Sequence, residues 1–274
     1  MKQDLFTVCI ITLLIASCNL PGSDTPTPVP LTATPDILPT ATTVSGNVIT
    51  LNNVSLVIPE DLANDALLET VSAKTDGAPW ELAPAHVKIT LTGYSLQDKF
   101  HKPELFVFPA DEYAQVNPVA AEQIDRLKKI LAGSLPLQET LPRIPFFNAE
   151  MQIAASIQPI TFQSGNGIRH LTQYAQYLAP INNHELIYQF SGLTADEQYF
   201  IIAILPINAP VLAEDEKPDS PVPTDGVPIP TDVGPNDAYY AAIIEKLVAL
   251  PPDSFTPSLT SLDTLIQSIT VTPP

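Results

Sequence analysis

Cysteine is nearly missing from this chain. Two of its 274 residues are cysteines, Cys9 and Cys18, and everything after Cys18 lacks a thiol. That stretch can form no disulfide, hold no thiolate metal site and use no cysteine nucleophile. Basic residues are also scarce. Twelve Lys and Arg stand against thirty Asp and Glu, for a net charge of −18. Nucleic-acid binding needs a basic surface that displaces counterions, so that role is disfavoured. The same sign argument disfavours direct docking on an anionic leaflet, and the acidity reads most simply as solubility outside the cell, with a specific cationic partner as the alternative. A long hydrophobic run is missing too. The apolar stretch Leu5 to Ala16 is about twelve residues, where a membrane-spanning helix needs about 20.

That short run fits another purpose. Lys2 precedes it, and it ends in Leu14-Ile15-Ala16-Ser17-Cys18. The pattern resembles a bacterial lipoprotein signal: a basic start, an apolar middle, then aliphatic, small, small, Cys. The resemblance implies cleavage before Cys18, diacylglycerol on that cysteine, and attachment to the outer face of the cell membrane. Two acyl chains anchor a protein stably where one does not. The bland alternative is an ordinary secretory signal cut elsewhere. Position 19 is Asn, so the Asp that often retains lipoproteins at an inner membrane is not there.

Residues 1–17 are therefore read as a signal peptide and 18–45 as a tether. Pro21 to Thr43 alternates threonine and proline with too little apolar content to fold. In polyproline II form, at about 3.1 Å per residue, it would reach roughly 70 Å. Such tethers resemble those of lipoproteins from Chloroflexota-type bacteria. A single globular domain is expected over 46–272, interrupted by an acidic, proline-rich, solvated loop at 209–235 that holds Glu214, Asp215, Glu216, Asp219, Asp225 and Asp232.

Periodicity places the elements. Val48–Leu51 and Val54–Ile58 read as strands around an Asn52-Asn53 turn, and Pro59-Glu60-Asp61 opens a short helix carrying Leu62, Ala66 and Leu67. His86–Leu91 and Leu105–Phe108 read as strands. Asn117-Pro118 starts a helix with Ala120, Ile124, Leu127 and Leu131 on one face. Hairpins follow around Ser164-Gly165-Asn166-Gly167 and around Thr194–Glu197. Phe200–Leu205 is apolar on both faces, as a strand covered on both sides of its sheet would be. Helices at Asp237–Ala249 and Pro257–Ile269 complete the set. The fold class expected is α+β, an antiparallel sheet sandwiched between helices.

Leu56-Val57-Ile58-Pro59, the strand Tyr199-Phe200-Ile201-Ile202-Ala203 and the terminal helix Leu262–Ile269 are similar to elements of the PsbP/Mog1/DcrB-like group. The resemblance implies a PsbP/Mog1-like α/β/α sandwich. It carries no functional residue over, because the group spans many roles.

Motifs that carry chemistry are absent. There is no Gly-x-Ser-x-Gly, and Ser72-Ala73-Lys74 falls short of Ser-x-x-Lys. Gly165-x-Gly167 belongs to a turn and not a phosphate cradle. His86, His101, His170 and His184 lack HxH or HExxH spacing, and the acidic runs lack calcium-loop spacing. Glu104, Asp111 and Glu150 are candidates for paired carboxylates whose separation spacing cannot give. No catalytic, cofactor-binding or metal set is assigned. Trp80, the only Trp, and Arg143-Ile144-Pro145-Phe146-Phe147 remain. Aromatics and Arg on ordered loops make binding anchors, although all could equally plug core edges. The expectation is a lipid-anchored extracytoplasmic module, not an enzyme, that binds an envelope protein or ligand through Trp80, Arg143, Phe146 and Phe147. The alternatives are an extracytoplasmic hydrolase or carbohydrate-active enzyme, and a passive surface spacer.

Overall fold

A computed structural model describes residues 46–137, 140–217, 219–230 and 237–273. Cys18, the signal segment and the tether lie outside the described residues, as do residues 218 and 231–235 of the acidic loop. The described residues belong to one compact unit. Among the described residues no helix is long and apolar enough to cross a membrane.

Two short strands open the fold, β1 (Gly46–Leu51) and β2 (Val54–Pro59). They turn through Asn52-Asn53, where Asn52 takes a φ of 53°, a left-handed conformation that Asn tolerates. Then come β3 (Asp65–Val71), β4 (His86–Thr92) and β5 (Glu104–Pro109), followed by α1 (Ala110–Val116) and α2 (Pro118–Leu131). The next strands are β6 (Glu150–Met151), β7 (Ala155–Phe162), β8 (Gly165–Thr172), β9 (Tyr174–Ala175), β10 (Ile187–Thr194) and β11 (Tyr199–Pro206). The chain closes with α3 (Asp237–Ala249), α4 (Leu259–Gln267) and β12 (Thr270–Val271).

The class is α+β, with antiparallel sheets and four helices among the described residues. Seven strands form the main sheet in the order β3-β4-β5-β11-β10-β8-β7. β1, β2 and β12 make a smaller sheet, and β6 pairs with β9. Central β11 is buried on both faces, and its alternating side chains enter two apolar clusters. Ile201, Ala203 and Leu205 join one, with Leu56 and Ile58 of β2, Ile243 and Leu247 of α3, and Leu262 and Leu265 of α4. Phe200, Ile202 and Ile204 join the other, with Tyr113 of α1 and Ile124 and Leu127 of α2. At the end of α4, Ser268 ties the helix to β2: its hydroxyl accepts from Val57 N at 2.9 Å and donates to Leu265 O at 2.7 Å.

Several expectations need correction. The helix read at Pro59–Leu67 is a turn followed by strand β3. Asp65-Ala66-Leu67-Leu68-Glu69 suits a helix by propensity, but pairing with β4 overrides it. As an edge strand, β3 buries little, and Leu67 stays exposed. Helix α1 was not foreseen.

Gly165-Asn166-Gly167 is not the turn. Those residues lie in β8, Phe162 pairs with Gly165, and Gln163-Ser164 makes the turn. Glycine is needed here for close approach. Gly167 faces Gly192 across the ladder, and a Cβ on Gly167 would stand 2.4 Å from the Phe190 ring and 2.5 Å from Ser191 O. Finally, the acidic loop is not solvated throughout. Ala209, Val211, Leu212 and Ala213 are buried. Asn183 fastens them, donating from Nδ2 to Ala209 O at 3.2 Å and Leu212 O at 3.3 Å.

Candidate functional site

The four candidate surface residues do not share one place. Trp80 sits on a 3₁₀ turn (Pro79–Glu81), and its turn is gripped by the start of α2. Asn117, fully buried, accepts from Val119 N at 2.9 Å and Ala120 N at 3.0 Å, which caps α2. Its amide donates to Pro79 O at 2.9 Å and Leu82 O at 3.0 Å. One side chain therefore starts the helix and holds the Trp80 turn. Asn117→Ala is expected to cost about 1–2 kcal/mol, because it removes the cap of α2 and the amide that holds the Trp80 turn to it. Since Trp80 is the only Trp, its fluorescence during urea unfolding reads both the loss and the release of the turn.

Arg143, Phe146 and Phe147 lie on a different segment, 141–149, which runs without regular structure over the α2 side of the main sheet. Polar contacts from below position it. Tyr174 Oη accepts from Ile144 N at 3.1 Å and donates to Gln189 Oε1 at 2.8 Å, and Gln189 Nε2 donates to Pro142 O at 2.9 Å. Gln123 of α2 accepts from Arg143 N at 2.9 Å. Burial raises the Tyr174 phenol above its ordinary range, so it stays protonated and can donate. Tyr174→Phe is expected to destabilise the protein by about 1–3 kcal/mol, since two buried groups lose their partner. Thermal unfolding of the variant checks this.

Phe146 is half-buried against Phe106, 5.0 Å between ring centroids, and so is largely a core plug. Arg143 is exposed and pairs with Glu150. Phe147 turns the other way. Its ring stacks on His101 at 5.1 Å and 14°, and meets Tyr174 edge-on at 5.0 Å. Here the surface opens into a cavity of about 620 Å³ whose walls include Phe100, His101, Phe147, Tyr174, Tyr177, Glu185 and Glu216.

This cavity is assembled from distant stretches. Phe100 and His101 come from the β4–β5 connection, held by a bond from Phe100 N to His184 O at 2.9 Å. Tyr177 follows β9, and Glu216 comes from the acidic loop. The Tyr177 hydroxyl donates to Glu216, which pushes the phenol up to about 12. Lys99 secures the same loop through Glu214 at 2.7 Å. Phe100 is 63% exposed and Tyr177 59%, large rings at the cavity wall that remain open to solvent. His101 Nε2 is buried without a hydrogen-bond partner among the described residues. Burial, then the charge of His184, lowers the His101 imidazole to about 4, so it is neutral at pH 7. Glu185 is raised, first by burial and then by the Glu216 charge, while Asn182 and His184 pull it back.

The sequence singled out Phe146 and Phe147, which both line this cavity, but missed Phe100, Tyr177, Glu185 and Glu216 as its walls. No local signal marks them, because the tertiary fold brings them together. The carboxylates considered for paired acid and base chemistry have separate settings. Glu104 lies beside Lys88 on β5, Asp111 is in the first turn of α1, and Glu150 pairs with Arg143. Among the described residues no group of three or more His, Asp or Glu is placed to hold a metal ion.

Comparison with protein-family models, with curated proteins and with solved structures gives no match.

Proposed function

We propose that this chain is a lipid-anchored extracytoplasmic lipoprotein whose folded part is a non-enzymatic binding module of the cell envelope. The observation that carries the binding role is the cavity beside Phe147, where the large rings of Phe100 and Tyr177 are exposed to solvent. Large exposed aromatics at the rim of a concave site are characteristic of recognition surfaces. The lipobox ending at Cys18 supports the anchor, and Pro21 to Thr43 would set the module off the membrane. A PsbP/Mog1-like α/β/α sandwich is the finer description of the fold we favour. It rests on the order of elements and on the division of helices between the two apolar clusters. The site of recognition is shifted from the sequence-based expectation: Phe146 and Phe147 stay in it with Phe100 and Tyr177, and Trp80 and Arg143 are not among its walls.

The test is a cross-linked pull-down of the full-length chain from native membranes, with Phe100→Ala and Trp80→Ala beside the wild type. The expected result is a stoichiometric partner or ligand lost with Phe100→Ala and kept with Trp80→Ala. Equal capture by all three, or none by any, would overturn this cavity as the recognition site.

A further inference from the structure

The cavity beside Phe147 combines two chemistries. Aromatic rings line one part of it, from Phe100, Phe147 and Tyr177, with His101 stacked on one face of Phe147. Two carboxylates, Glu185 and Glu216, line another. Among the described residues neither carboxylate has a Lys or Arg within ion-pair distance, whereas the nearby Lys99 is taken up by Glu214 and Arg143 by Glu150. Glu216 is fixed at the wall by the Tyr177 hydroxyl. Negative charge placed beside these rings suits a positive guest, because ring quadrupoles attract cations at their faces and carboxylates add direct attraction. An inorganic cation would leave the ring faces unused. An anion would meet two carboxylates, and His101 stacked on Phe147 is neutral at pH 7 and offers no counter-charge.

We infer that the cavity binds a small organic cation of the alkylammonium class, seated between the rings of Phe100, Phe147 and Tyr177 and the carboxylates of Glu185 and Glu216. This deepens the binding-module reading and rests on it. A volume of about 620 Å³ has room for a trimethylammonium head with a short substituent.

The experiment is calorimetric titration of the full-length chain, in a sugar-headgroup detergent, with choline chloride. Its neutral isostere 3,3-dimethylbutan-1-ol and potassium chloride are the controls. Saturable choline binding with no binding of the isostere is the expected result. Glu216→Gln and Phe100→Ala each replace an exposed side chain without cutting into the core. Each is expected to weaken choline about tenfold, as the loss of one cation contact predicts, and Trp80→Ala leaves it unchanged. Monomeric short-chain phosphatidylcholine separates two sources of the same head group: tighter binding than choline assigns a lipid, equal or weaker binding a free solute. Equal binding of the isostere, or choline binding indifferent to Glu216→Gln and Phe100→Ala, overturns the cation inference. So does no choline binding. The binding-module reading survives those outcomes if the pull-down still finds a partner sensitive to Phe100→Ala, and fails with the inference if it does not.

Discussion

Replacing Asp263 with alanine is expected to lower the free energy of unfolding by about 3–5 kcal/mol, among the largest effects a single change can have here. Asp263 sits on α4 and reaches across to the main sheet. Arg169 of β8, almost fully buried, donates from Nε to Asp263 Oδ1 at 3.2 Å and from Nη2 to Oδ2 at 3.5 Å. Tyr188 of β10 donates to the same Oδ1 at 2.8 Å. The rest of the guanidinium is spent on Gln158 and on the Ser156 carbonyl of β7. With Asp263 gone, a charged guanidinium is left in the core facing no anion.

Burial nevertheless raises the Asp263 carboxyl above its ordinary value, outweighing Arg169 and Tyr188, which both lower it. Desolvation thus takes back much of the attraction within the pair. The double variant Arg169→Met with Asp263→Asn removes both charges and leaves Tyr188 an acceptor, so it is expected to lie closer to wild type than Asp263→Ala alone. Urea unfolding of the three proteins checks this. A double variant as unstable as Asp263→Ala would mean that the hydrogen bonds, and not the orphaned charge, dominate.

Acid is expected to destabilise the fold well before the carboxylate range, through buried histidines: His86 is lowered, first by burial, and His170 and His101 are lowered further. His170 of β8 is fully buried with neither ring nitrogen hydrogen-bonded among the described residues, and burial lowers it to about 3. His101 is lowered to about 4. Unfolded, each titrates near 6.5. Between those values the unfolded chain takes up protons that the native chain refuses. The stability these neutral rings provide is fully present above about pH 6.5 and is lost as pH falls toward 4, at up to about 1.4 kcal/mol per pH unit for each histidine. Asp263 and Glu185, both raised by burial, gain protons first in the native state and oppose the trend only at the acid end.

His170→Leu is expected to hold or raise stability at pH 7 and to remove between about a third and a half of the slope between pH 6.5 and 5, since His101 and His86 share it. Urea midpoints at the two pH values measure it. An unchanged slope would show that His170 is protonated without unfolding.

The residues that produce these effects differ in how far the sequence could reveal them. His170 stood out only as one of four histidines, and its burial depends on lying in β8 between β7 and β10. Asp263 reads as a polar position on a helix whose Leu262, Leu265 and Ile266 are buried. Nothing local pairs it with an arginine ninety-four positions away.

Local physics was legible where one rule acted alone. Asn117-Pro118 started α2, Asn52-Asn53 turned β1 into β2, and Phe200–Leu205 was buried on both faces because no polar residue interrupts it. The same holds for the lack of thiols after Cys18 and for the acidic charge, which are properties of the residues themselves. The tertiary structure decided the rest. It made a strand of a helix-prone segment at β3 because β4 offered ladder bonds. It placed Gly167 inside β8 because the Phe190 ring needed the space. It drew Ala209, Val211, Leu212 and Ala213 into the core, with Asn183 fastening them. Above all it gathered Phe100, Phe147, Tyr177, Glu185 and Glu216 around one cavity. Those side chains span more than a hundred positions, and only packing of the completed sheet brings them within reach of one ligand.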